Sequence, residues 1–356
     1  MAPPSEKLIV WSRRQRRALP WRGARDPYRI WISEIMLQQT RVSTVVRFYR
    51  RFLKKFPTVA ALARADINNI RKIWEGLGYY SRAGNLRQAA VKIQNAYGGR
   101  FPPTAEEWEG LPGVGRYTAA AIAALAFDEP APALDANARR ILARLYAYPR
   151  PIGDARSHSA LAAFYRKARG RAAPQAFFQS LMDLGQLLCL PRSPLCGRCP
   201  LSRQCMAYRR GIQNRLPVRS APKLIPHYDV TAAVIRRGGR VLLARRPEGK
   251  LLGGMWEFPG GKVEGGESLM RCLKRELKEE LGVSTQVGEK MYILKHSFSH
   301  FRISLHVFPC RLLSGSPRPI GVAEVRWVRI AELGDFPMGR ADRKVVYRLS
   351  GGGDPD

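Results

Sequence analysis

Two acidic residues, about a hundred positions apart, stand where a carboxylate can do chemistry. Glu34 lies in WISEIMLQQT with Trp31, Ile32, Ile35 and Leu37 around it. A carboxylate in apolar company loses hydration, which raises its pKa and lets it hold a proton near neutral pH, as a general acid must. The plainer alternative is a glutamate at a helix start paired with an arginine such as Arg29. Asp135 stands directly before the helical pattern ANARRILARL. It is a favoured N-cap, and capping hydrogen bonds with the helix dipole are expected to keep it ionised. A protonated acid can assist a leaving group while an ionised one faces a developing positive charge.

Two further clusters have ligand chemistry. Cys189, Cys196, Cys199 and Cys205 fall within one short window, CLPRSPLCGRCPLSRQC, which also carries Arg192, Arg198 and Arg203. Four thiols so close indicate a metal site, and the spacing leaves structural zinc and a [4Fe–4S] cluster both open. Cys272 and Cys310 read as lone core thiols. In LKRELKEELGV, helical spacing puts Glu276, Glu279 and Glu280 on one face, where they repel unless a cation such as Mg²⁺ joins them. The alternative is a solvated acidic helix countered by Arg271, Lys274 and Lys278.

The elements that position these residues can be read from caps and turns. Thr104 followed by Glu107 signals a capped helix that runs into the hairpin LPGVG and a second helix, RYTAAAIAALAF. Gly113 and Gly115, flanking Val114, are free to take positive φ, and the amides opening the second helix are expected to point outward unpaired, a place for an anion. Upstream, 5–18 reads as a basic amphipathic helix and 31–56 as one long helical pattern. Two more helices are joined by GLGYYSRAGN, whose Tyr79, Tyr80 and Arg82 suit stacking on bases or, equally, burial. After RGIQNRLPVRSAPKLIPHY, a proline-rich connector, DVTAAVIRRGGRVLLARR reads as a hairpin about Gly238-Gly239. A glycine-rich loop, a helix and alternating strands follow. The expected organisation is an all-α domain over 1–210, a connector over 211–227 and an α+β domain over 228–352.

Charge points to the partner. The chain carries a net +33, with 39 Lys+Arg against 13 Asp+Glu in residues 1–225 and 22 against 15 in the rest. A cationic N-terminal domain is expected to bind a polyanion through counterion release, nucleic acid before an acidic membrane surface. The longest uncharged apolar run, 117–127, is too short to cross a bilayer, and the N-terminus lacks a signal-peptide core. A cytoplasmic protein is expected.

WISEIMLQQT, LPGVGRYTA, ALDANARRIL and the cysteine window occur in the order found in helix-hairpin-helix base-excision DNA glycosylases, and the chain resembles the MutY-type adenine DNA glycosylases over nearly its whole length. The resemblance implies a six-helix barrel with a [4Fe–4S] domain, followed by a Nudix-like α/β/α sandwich, in a monomer acting on adenine mispaired with 8-oxoguanine or guanine in double-stranded DNA. It assigns Glu34 as the acid that protonates the departing adenine and Asp135 as the carboxylate facing the sugar cation, with Asn137 and Tyr117 in support. Gln39 and Tyr79 match positions that enter the helix beside the lesion, and Gly113, Val114 and Gly115 form the hairpin on DNA. Cys189, Cys196, Cys199 and Cys205 match the cluster ligands; Phe298, Ser299 and His300 match a loop that faces 8-oxoguanine. Related endonuclease III-type enzymes place a Schiff-base lysine where this chain has Tyr117, so the implied product is an abasic site rather than a nick. The stretch from Gly261 to Val283 keeps every position of a Nudix box, which leaves open a second, Mg²⁺-dependent hydrolysis of oxidised nucleoside triphosphates.

Overall fold

The computed structural model describes residues 3–15, 18–218, 224–298 and 300–352. The chain divides into two compact units, Met1–Arg64 with Asn85–Pro222, and Ala65–Gly84 with Lys223–Asp356. The stretch 65–84, which sequence alone assigns to the first domain, thus packs with the second. Two ion pairs tie it there: Arg71, on helix Ile67–Trp74, meets Glu248 at 2.6 Å, and Glu75 meets Arg343.

The first unit is helical. Its capping box forms as the sequence predicts: Thr104 accepts from the amide of Glu107, whose side chain reaches back to Thr104, and helix Ala105–Glu109 follows. Asp26 caps helix Pro27–Leu37 by accepting from Tyr28 N at 2.9 Å, and Pro27 supplies the preset φ of a first helical residue. The pattern over 31–56 is not one helix. It stops at Leu37, passes through Gln39 at φ 56° and restarts as Val42–Lys55. No glycine or proline marks the break; it is held by tertiary bonds, since Gln38 donates to Thr118 Oγ1 at 3.0 Å. Helix Arg116–Phe127 is buried over most of its length. Helices Ala136–Leu145, Ser157–Arg169 and Pro174–Leu187 enclose a core containing Leu142, Leu161, Tyr165, Phe177 and Leu181.

The second unit is built on seven strands: β1 His227–Arg237, β2 Arg240–Arg245, β3 Trp256–Glu257, β4 Ser284–Val287, β5 Tyr292–Ser297, β6 Arg302–Ser314 and β7 Glu324–Arg329. The order is β3-β2-β1-β6-β4, with β5 on β6 and β7 on β2. The expected hairpin turns at Gly238 and Gly239, both at positive φ, as a two-residue turn between twisted strands requires. β1 and β6 pair in parallel, from His227 opposite Arg302 to Ile235 opposite Cys310. Alternation along β1 divides the core: Ala232 and Val234 face Val345 and Val346 of helix Arg340–Leu349, while Ala233 and Ile235 face Leu273, Leu277 and Leu281 of helix Leu269–Leu281. Both faces are covered, so this is an α/β/α sandwich after an all-α unit, as the sequence led one to expect.

Candidate active site

Glu34 and Asp135 reach one cavity of about 750 Å³, together with Tyr117, Asn137, Phe178 and Met182. Helix Pro27–Leu37 is buried on nearly every side, and Glu34 is carried in with its apolar neighbours to 7 % exposure. The arginine pairing open from sequence is absent: Arg29 pairs with Asp26, at 3.4 Å. Burial pushes the Glu34 carboxyl up to about 7, Asp135 adds to the rise, and Tyr117 opposes it. That opposition is a long contact, Tyr117 Oη to Glu34 Oε2 at 3.5 Å.

Asp135 caps helix Ala136–Leu145, accepting from Ala138 N at 2.6 Å and from Asn137 Nδ2 at 2.8 Å. Beside the capping bonds expected to keep it ionised, burial acts the other way: it raises the Asp135 pKa above the usual value, while the Ala138 and Asn137 donors and Arg140 pull it back. The two acids differ in this opposition. Glu34 has one distant hydroxyl against its burial; Asp135 has short bonds and a guanidinium. Glu34 is therefore the better proton holder of the pair.

Sequence reasoning passed over Arg140 and Arg144. Both are buried, one turn apart on helix Ala136–Leu145, at 6 % and 2 % exposure. Arg140 Nη2 donates to Asn137 Oδ1 and to Gly185 O, both at 2.8 Å, and its Nε donates to Cys189 O at 2.8 Å. Arg144 donates to Leu190 O at 2.6 Å and to Cys189 Sγ at 3.4 Å. A continuous chain of donors thus runs from the cysteine loop through Arg140 and Asn137 to Asp135. The signal in the sequence was two arginines four apart, at Arg140 and Arg144, on the face of the helix that also carries Ile141, Leu142 and Leu145 into the core.

The four window cysteines border a void of about 30 Å³. Cys199 is pushed up to about 12, first by burial, with the neighbouring thiols adding to the rise. Cys196 and Cys205 are raised likewise. Among the described residues no three His, Cys, Asp or Glu side chains converge on a single ion. Thiols whose ionised forms are disfavoured together around one void suit a bound cation, which would favour the thiolates.

In the hairpin, Gly113 takes φ +76°, and a Cβ there would stand 2.7 Å from Asn85 Cβ. Gly115 does not share this role: it sits at φ −88° as the N-cap of helix Arg116–Phe127, with open space where a Cβ would lie. Val114 is buried and its amide is taken by Leu111 O at 3.1 Å, so it is not among the free amides. The first amide to bond back is that of Ala119, to Gly115 O at 2.9 Å, which leaves those of Arg116, Tyr117 and Thr118 ahead of the ladder. Gln39 is exposed at the cavity edge.

In the second unit, Tyr79 is 38 % exposed while Tyr80 is buried, so only the first of the tyrosine pair is presented to solvent. Phe298 stacks on Phe301 at 4.5 Å, His300 is exposed, and Ser299 lies outside the described residues. Glu276, Glu279 and Glu280 share a helix as expected, and two of them, Glu276 and Glu279, are bridged by a cation of the protein's own. Arg275 holds Glu267 at 2.7 Å and Glu276 and Glu279 at 3.0 Å. Glu280 lies outside that group; burial and Glu276 push it up to about 7. Two acids not foreseen, Glu257 and Asp342, line a separate cavity of about 380 Å³ with Arg246, Gly261, Glu276 and Glu280.

Comparison with known proteins accords with this geometry. Residues 32–166 match the HhH-GPD superfamily base excision DNA repair protein family, and residues 230–348 match the NUDIX domain. The chain is similar to an adenine DNA glycosylase of Rattus norvegicus, 32 % identical over 95 % of this chain and 76 % of that one. It is similar also to an adenine DNA glycosylase of Homo sapiens, 31 % identical over 98 % of this chain and 74 % of that one. A solved thermostable thymine-DNA glycosylase shares 32 % identity, with a TM-score of 0.52, over 58 % of this chain and 95 % of that one.

Proposed function

The chain belongs to the adenine DNA glycosylase family, and on that premise we propose that it excises adenine paired with 8-oxoguanine or guanine and stops at the abasic site. As a base-excision DNA N-glycosylase it binds DNA and must draw the target nucleoside out of the stack. The observation that carries the reading is one cavity holding both Glu34, with its pKa near 7, and the capped Asp135. Glu34 gives its proton to a ring nitrogen of adenine. The bond from sugar to base then breaks with its electron pair leaving on the base, and Asp135 faces the positive charge left on the sugar. Water adds to the sugar carbon, and its proton returns to Glu34. Asn137 and Tyr117 hold these two groups through the bonds described above. With a tyrosine at 117, no amine stands there to form a Schiff base, which supports a monofunctional enzyme.

Cys189, Cys196, Cys199 and Cys205 would hold a [4Fe–4S] cluster. Bound there it would supply a fixed positive core that ties the loop together. Gln39, Tyr79, Gly113, Gly115, Phe298 and His300 are the proposed DNA contacts. On a duplex with adenine opposite 8-oxoguanine, the purified protein should yield alkali-dependent cleavage, abolished in Glu34→Gln. Strand cutting without alkali, or an active Glu34→Gln variant, overturns the mechanism.

A second reading has its own observation. The 380 Å³ cavity brings Glu276 and Glu280 of the intact Nudix box beside buried Glu257 and Asp342. We propose it as a candidate Mg²⁺-dependent hydrolase site for oxidised nucleoside triphosphates, with the Arg275-neutralised scaffold as the rival. Release of pyrophosphate from 8-oxo-dGTP with Mg²⁺, lost in Glu279→Gln and Glu280→Gln, supports it. No turnover by protein active on DNA leaves the scaffold.

A further inference from the structure

A second cavity, of about 330 Å³, adjoins the Glu34–Asp135 chamber and shares Arg116, Tyr117 and Leu134 with it. The rest of its polar lining is Arg139, Asp154 and His158. We propose that this cavity seats a backbone phosphate of the DNA strand whose adenine enters the chamber, with Arg116, Arg139 and His158 as its donors. The inference rests on the chamber holding the extruded nucleoside, and the test below separates the two.

The site is built before any ligand arrives. Arg139 is held by its own donations, Nε to Leu134 O at 3.1 Å and Nη1 to Ile152 O at 2.8 Å. Its Nη2 stands 3.3 Å from His158 Nδ1. A guanidinium can only donate, so Nδ1 must accept and the neutral ring carries its hydrogen on Nε2. Burial, then Arg139, Arg116 and Arg166, hold the His158 pKa below its ordinary value, so this neutral tautomer is the resting form. Arg116 is 69 % exposed, with its closest carboxylate, that of Glu109, at 3.9 Å. Asp154 is the acid of the lining, and its Oδ1 is engaged by the amide of Arg156 at 3.0 Å.

Two guanidinium groups and a fixed N–H donor around a small cavity match the several acceptor oxygens and charge of a phosphodiester. Its position specifies the source. A nucleoside in the chamber is tied to phosphates on either side, and one of these must pass the wall formed by Tyr117 and Leu134. Holding it fixes the strand while the base is turned out, without reading sequence.

The test is a binding cycle on full-length protein. Duplexes carry a 2′-fluoro adenosine, which resists excision, and one uncharged methylphosphonate moved stepwise along the adenine strand. Wild-type affinity should fall about tenfold at one position beside the adenosine. His158→Ala and Arg116→Gln should each weaken binding to the unmodified duplex by several-fold and show a smaller added loss than wild type at that position, and Arg116→Gln should flatten the salt dependence by about one phosphate. His158→Gln, which keeps an N–H donor, should recover much of the affinity. Penalties that add at every position, or unchanged affinity in both variants, overturn the proposal. Failure of wild-type protein to excise would instead strike at the chamber, which the binding cycle does not depend on.

Discussion

Replacing Glu34 by glutamine should end excision and make the fold more stable, both for one reason. The Glu34 carboxyl is 7 % exposed and is pushed from 4.5 up to about 7, by burial first and Asp135 second. Between those values the folded protein binds more protons than the unfolded chain, so stability falls as pH rises. The group's contribution is whole below 4.5 and is lost as pH passes about 7. A shift of that size corresponds to about 3 kcal/mol on the alkaline side. Glutamine has nearly the same shape and no charge to desolvate. Denaturant unfolding of the N-terminal transition should therefore show the two proteins level in acid, with the variant ahead by about 3 kcal/mol at alkaline pH. In wild type, the single-turnover excision rate should decline about tenfold for each pH unit above the Glu34 value. A stability gap that does not change with pH would refute the burial argument, and so would an excision rate that stays level through alkaline pH.

Three further substitutions probe the surroundings. Tyr117→Phe removes a hydroxyl that favours the ionised Glu34, so the alkaline limb of the pH–rate profile should move upward; a downward move contradicts the assignment. Arg140→Gln leaves Gly185 O and Cys189 O short of donors and frees Asn137. We expect a loss of about 3 kcal/mol in stability and at least a tenfold slower single turnover, and an unchanged rate would separate the arginine from Asp135. Gly113→Ala should cost about 1–3 kcal/mol and weaken DNA binding, since its φ is positive and Asn85 fills the space, whereas Gly115→Ala should be tolerated; equal effects at both would mean the hairpin relaxes.

What the sequence made legible was whatever is decided locally. Thr104 with Glu107, Asp135 before its helix and the Gly238-Gly239 turn each carry their reason within a few residues, and each forms. The break at Gln39 was not legible, because the partner that holds it, Thr118, is eighty residues away. Gly115 misled for a related reason: glycine permits positive φ but does not demand it, and the cap position required extended backbone. Of the site, the two carboxylates were visible as residue types in unusual company. Their support was not, since Arg140 acts on carbonyls of a distant segment. Glu257 and Asp342 escaped because they come from a two-residue strand and the last helix, and only the sheet brings them to one cavity.

The division of labour proposed for Glu34 and Asp135 follows from what burial is opposed by, not from burial itself. Both carboxyls are desolvated, and each repels the other's charge. In such a coupled pair the proton goes to the group with the weaker claim on negative charge. Asp135 has that claim through three neighbours: the Ala138 amide, the Asn137 side chain, and Arg140, which is itself anchored on the cysteine loop. Glu34 has one hydroxyl at 3.5 Å. On the proposed mechanism the cysteine loop therefore bears on the chemistry, even though among the described residues none of its side chains lines the chamber. By fixing Arg140 it fixes Asn137, and by fixing Asn137 it helps to keep the anion at 135 and the acid at 34.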